Sequence, residues 1–282
     1  MARYSLFNFR SIFFALFLIA TLGSGDIKQC PAQQDARQTE VEVQAQLRDL
    51  LTRSMRALRE AEFETAIELQ TEMIDLPITD FQKHRLYQER GECYFMNGQM
   101  EEAVSDFDKF IEHFPSREPF LWQRGLALYY AEEFETGQAQ FETHQTVNSQ
   151  DVENAVWHFL CVARASDLET AREKLIPISG DSRVPMAQVH KMFAGEMEPD
   201  DVIKQADDLG DNAESKARNL YYAHLYVGLY YEVIGKPADS LNHMKLATES
   251  QGIPRGIVMG EVANVHLKLR SARDSEKEND NQ

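Results

Sequence analysis

The chain has 282 residues, 43% hydrophobic and 27% charged, with a formal net charge of -17 and a pI near 4.9. This composition fits a folded soluble protein and not a low-complexity or fibrous chain. The acidity excludes a nucleic-acid binder, which needs a basic surface, and a polybasic attachment to anionic lipid.

Residues 1–25 have the three parts of an export signal. Arg3 and Arg10 make the basic start, Ile12 to Leu22 the apolar run, and Gly23-Ser24-Gly25 the small residues of a cleavage site. The run is shorter than the about 17–25 apolar residues a spanning helix needs. The expected product is exported, periplasmic or secreted, begins at Asp26 and has no stable membrane insertion. Left uncleaved, the segment would keep it membrane-associated. Cys30 is preceded by Ile27-Lys28-Gln29, and the charge on Lys28 breaks the lipoprotein pattern. Residues 26–44 are polar, with few large apolar groups, and are expected to be a flexible linker.

Helical periodicity starts near Leu47 and continues through residues 45–185. The clearest unit is 84–117, which contains HRLYQERGECYFMNGQMEEAVSDFDKFIEHFP. With His84 as position 1, Tyr87 is position 4, Gly91 position 8, Tyr94 position 11, Ala103 position 20, Phe107 position 24 and Pro115 position 32. Gly91 and Ala103 let paired helices approach. Tyr94 and Phe107 fill the space between them, Asn97-Gly98 makes the turn, and Pro115 stops the second helix. The same spacing returns in 118–151, with Gly125 and Phe141, and in 152–185, with Ala171. An earlier unit, 47–80, is anchored on Ala66. An echo supports the register: AEFETA ending at Ala66, EEFETG ending at Gly137 and SDLETA ending at Ala171.

Pro177, Gly180, Pro185, Gly195 and Pro199 break the rhythm, so 186–220 is expected to be irregular or a short helix pair. The pattern returns over 221–254 with Gly228 at position 8, Tyr231 at position 11 and Ala247 at position 27. Residues 255–270 read as a terminal helix sealing the last open face. Residues 271–282 carry no large apolar group and are expected to be a disordered tail. Cys93 and Cys161 both fall at position 10, two periods apart, and read as small buried residues.

The 84–117 unit resembles the tetratricopeptide (TPR) repeat, with Tyr87 for Trp at position 4, Arg90 for Leu at position 7 and Phe110 for Ala at position 27. Tyr221 to Ala247 is also similar to the terminal TPR module of NlpI-type bacterial envelope lipoproteins. The resemblance implies an all-α superhelical solenoid of antiparallel helix pairs, and protein binding in a concave groove lined at positions 2, 5, 9, 12 and 13. The Lys and Asn of the chaperone-binding carboxylate clamp are absent: Leu51 and Met55, Gln88 and Glu92, and Trp122 and Leu126 stand at positions 5 and 9. The candidate peptide-binding groove is therefore apolar: Phe95, Met96, Trp122, Leu126, Tyr129 and Tyr130. These rings either face solvent or are covered by the chain itself, for instance by residues 26–44.

No HExxH, GxSxG, P-loop or dinucleotide fingerprint occurs, and the eight histidines are scattered. The expectation is a non-catalytic scaffold or adaptor for a protein or peptide partner, with no catalytic residues, metal or cofactor. The alternative is a structural envelope protein that associates with itself as a homodimer. Mass spectrometry of the exported protein should find Asp26, or a near neighbour, at the N-terminus. Recovery of only the intact Met1 form from membranes would refute the cleavage.

Overall fold

The computed structural model describes residues 31–280, with side-chain surroundings for residues 37–271. Residues 1–25, expected to be an export signal, Cys30 and the rest of residues 26–30 lie outside that range. The chain divides into two units, Met1–Glu42 and Val43–Gln282. In the first, residues 31–42 form the opening turns of α1 (Pro31–Arg59). Residues 31–44 are thus helical, not a flexible linker. Pro31 suits a first helical position, and Ala, Gln, Arg and Glu follow with no Gly or further Pro. The stretch has no apolar stripe, so periodicity does not show it.

The second unit is a run of helix pairs, and no strand occurs among the described residues. The later part of α1 pairs with α2 (Phe63–Asp75), followed by α3 (Asp80–Met96) with α4 (Met100–His113). A 3-10 turn (Pro115–Phe120) leads into α5 (Trp122–Tyr130) and α6 (Phe134–Gln145). Next come α7 (Val152–Ala165) with α8 (Leu168–Glu173), then α9 (Met186–Ala194) with α10 (Pro199–Asp208). The last pair is α11 (Ala213–Val233) with α12 (Pro237–Ser250), followed by α13 (Val258–Asp280).

The position-8 glycines set how closely the partners approach. A Cβ at Gly91 would lie 2.8 Å from the Phe107 ring, and one at Gly125 would lie 2.5 Å from that of Phe141. Gly228 meets Met244 and the Ser240 carbonyl in the same way. Phe107, Phe141, Ala103, Ala171 and Ala247 are all buried at these crossings. Tyr87, Tyr94 and Tyr231 are half-buried at the margins. Pro115 opens the 3-10 turn after α4. The turns inside pairs need a left-handed residue: Gly98 (φ 77°) and Gly235 (φ 77°) supply it in two, Ala61 (φ 55°) and Glu132 (φ 65°) in two others.

The departure at position 7 has a structural reason. Arg90 makes two hydrogen bonds to the buried Asp106 carboxylate, at 2.6 and 3.0 Å, and one to the Thr71 hydroxyl at 2.9 Å. Its guanidinium also lies over the rings of Tyr87 and Tyr94. One unit later Arg124 holds Asp108 and Gln140. Position 7 thus joins the two helices of its pair by charge-assisted bonds where the consensus uses an apolar contact.

Three other expectations change. The 152–185 unit is truncated, because α8 stops at Glu173 and a loop runs to Pro185. That loop is tied down by Arg183, which bonds Asp151, Glu153 and Asp181. Residues 186–220 hold the short pair α9 and α10, but 213–220 already belong to α11. Asn212 caps it reciprocally with Ser215, and the first turns are too polar to show a stripe. Residues 271–280 are helical, continuing α13; they contain no Gly or Pro, and Ala, Arg, Glu and Lys favour a helix.

Phe107→Ala should cost roughly 3–5 kcal/mol through an unfilled core cavity. Urea unfolding followed by circular dichroism checks this; a loss under about 1 kcal/mol would show that the crossing does not depend on the ring.

Candidate functional site

The first helix of each pair turns its positions 12 and 13 toward a common interior. In α3 these are Phe95 and Met96, in α5 Tyr129 and Tyr130, in α7 Ala163 and Arg164, and in α11 Glu232 and Val233. The structure brings together most of the predicted groove residues, but not as an open surface. Phe95, Met96, Leu126, Tyr129 and Tyr130 are buried, and Trp122 is half-buried against the core. The covering element is α13, and not residues 26–44. Besides closing the last pair against α12, α13 reaches across to α3 and α5.

The contacts are specific. The His266 ring is 1% exposed and sits between two hydroxyls. Its Nδ1 is 3.2 Å from the Tyr130 hydroxyl and its Nε2 is 3.2 Å from Ser240 Oγ. A neutral imidazole donates through one nitrogen and accepts through the other, so both hydroxyls are served. One turn on, Arg270 Nε donates to Glu232 Oε1 at 2.5 Å, and its guanidinium lies over the Tyr130 ring. The other Glu232 oxygen accepts from the Tyr129 hydroxyl at 2.6 Å, and Arg164 Nη1 reaches Oε1 at 3.4 Å. Lys268 Nζ donates to the Asn97 carbonyl at the end of α3, 2.7 Å away.

Burial favours the uncharged forms here. It lowers His266 to about 4, with Glu232 opposing, and raises Tyr129 and Tyr130 well above the usual phenol range, with Glu232 adding to the effect. Burial also works against an ionised Glu232, but the His266 ring, Arg270, the Tyr129 hydroxyl and Arg164 together hold its carboxyl below the usual range.

A different microenvironment lies at positions 5 and 9. Burial, with Glu89 nearby, raises Glu92 to about 7, while Gln88 and Gln123 donate to it. Glu92, Gln88, Gln123 and Trp122 remain partly accessible. Among the described residues no group of three or more His, Cys, Asp or Glu is placed to hold a metal. None of the described helices is long and apolar enough to cross a membrane.

Sequence reasoning missed His266, Glu232, Ser240 and Arg270. Two signals were present: an acid at the groove position 12 of the last pair, and a serine at position 20, where its counterparts are Ala66, Ala103, Gly137 and Ala171. Cys93 and Cys161 are free and buried, and burial pushes both thiols above their ordinary range.

The fold is an all-α array of successive helix pairs. No family model matches the chain. A 104-residue stretch, 36% of the chain, is 33% identical to a rice (Oryza sativa subsp. japonica) protein described as a Protein SGT1 homolog. It spans only 27% of that relative's length. A crystal structure of a tetratricopeptide repeat protein from Parabacteroides merdae aligns over 80% of this chain and 99% of its own, with a TM-score of 0.37 and 13% identity.

Acid should loosen the seat of α13. The His266 pKa is depressed in the folded state, so its stabilisation is complete above the unfolded value near 6.5 and is lost as pH falls toward about 4. The loss from this group across that window should be roughly 3 kcal/mol. Urea unfolding of His266→Gln beside the parent, from about pH 7 to about pH 4.5, isolates it from the carboxylates, which titrate in both. Parallel pH profiles would refute the assignment.

Proposed function

We propose that this protein is a non-catalytic interaction scaffold, exported to the cell envelope, that binds a protein segment along the accessible part of its groove. The observation that carries this is the row at positions 5 and 9. There Trp122 is half-buried, and Gln88 and Glu92, with Gln123 of the adjoining position 6 bonded to Glu92, stay partly accessible, while the rings at positions 12 and 13 are sealed. A partly buried tryptophan among hydrogen-bonding groups suits an anchor for an incoming side chain with a polar rim. The helix-pair architecture supports the reading, because repeat arrays present extended binding surfaces. The export pattern of residues 1–25 supports the compartment.

Self-association is the second reading, favoured by the exposed rings of Phe81 and Phe120, each 53% accessible. A photo-crosslinking residue placed at Trp122, compared with one at the exposed Val147, separates the two in cells. Scaffolding predicts adducts to other proteins from position 122 that Val147 does not give. Only homodimeric adducts, or none specific to position 122, would refute it.

A further inference from the structure

We propose that His224 of α11 and His243 of α12 form a two-histidine chelate for one copper(II) ion, which would tie the last helix pair together. With Tyr221 as position 1 they stand at positions 4 and 23, outside the groove positions 2, 5, 9, 12 and 13. Their Nδ1 atoms are 3.0 Å apart, and the ring planes meet at 39°. A ring nitrogen sits about 2.0–2.1 Å from a divalent transition ion, so one ion held by both would see them about 90° apart. That angle suits neighbouring ligands of square-planar or tetragonal copper(II). A tetrahedral zinc ion would need the nitrogens about 3.3 Å apart. Both rings are half-buried, which leaves water to fill the other ligand positions.

The protonation states fit a ligand pair. Burial lowers His224 to about 4, with His243 adding to the effect. Burial also lowers His243, against the charges of Asp239 and Asp200. At neutral pH both are therefore uncharged imidazoles, the form that binds a metal. As the rings stand, one Nδ1–H donates to the other Nδ1. Ion entry moves that proton through solvent to Nε2 of the same ring. Both rings stay neutral, and no net proton is released. Turning each ring about χ2, a soft torsion for histidine, brings the two lone pairs to a common point.

The surrounding charge favours a cation. Asp200 and Asp239 act on His243 and, with Glu198, on the adjacent Tyr231 hydroxyl. The Tyr231 ring is 5.3 Å from that of His243, and Lys236 lies over its face. Three carboxylates against one ammonium leave the local field negative. The other close histidine pair lacks this geometry. His84 and His113 stack with planes only 11° apart, so their in-plane lone pairs cannot meet, and His84 Nδ1 is already on the Asp80 carbonyl.

The test titrates the full chain with copper(II) chloride at neutral pH by calorimetry, with circular dichroism to check the fold of each variant. The tightest site should take one ion per chain. His224→Gln and His243→Gln should each weaken it by at least about tenfold, since losing a ligand costs no less than losing the outer-shell support of one. Unchanged affinity in either folded variant overturns the proposal, as does the absence of saturable binding by the parent. Imidazole resonances of the parent give an answer that needs no variant to fold. Substoichiometric copper(II), being paramagnetic, should broaden His224 and His243 before the other six histidines. Earlier broadening of any other histidine overturns the assignment.

Discussion

Everything in the array depends on how closely the two helices of a pair can approach. Gly91 against Phe107 and Gly125 against Phe141 put backbone directly on an aromatic ring, with no room for even one added carbon. This contact fixes the spacing within a pair, and the spacing fixes where the next first helix begins. Stability in such an array is roughly a sum of unit and neighbour terms. The truncated pair α7 and α8 can therefore be tolerated where the loop carrying Arg183 returns to the start of α7.

A second layer of specificity is polar. Arg90 with Asp106 and Arg124 with Gln140 join the helices of a pair at matching positions, sixteen residues apart in both cases. Buried ion pairs add little net stability compared with apolar packing, because desolvation offsets their attraction. They do make a wrong register costly, since a slip by one turn leaves a buried guanidinium without its acceptor. Apolar contacts alone would not impose that penalty on neighbouring units of similar shape.

The C-terminal helix turns an open array into one that closes on itself. Its first half supplies Val262 and Val265 to the core, as a terminal helix should. Around its middle, His266 and Arg270 pack against Tyr130 and Glu232, at positions 13 and 12 of their units. The aromatic rings at positions 12 and 13 are therefore packing groups. Trp122, in the other row, is half-buried, while Leu126 of that same row is fully buried.

The sequence by itself determined the helix pairs and their register. Gly91, Ala103, Phe107, Gly125, Phe141, Ala171, Gly228 and Ala247 recur at a period set by local helix geometry, and local periodicity is legible residue by residue. It determined the existence of a terminal helix for the same reason. It did not show the helical turns of 31–44, 213–220 and 271–280, because polar helices carry no apolar stripe to read. Only the tertiary structure decided what covers the groove. Tyr130 and His266 are 136 residues apart, and Tyr129 and Glu232 are 103 apart. No periodic signal links such positions. Their pairing follows from the path of the array, which returns its last helix to α3 and α5.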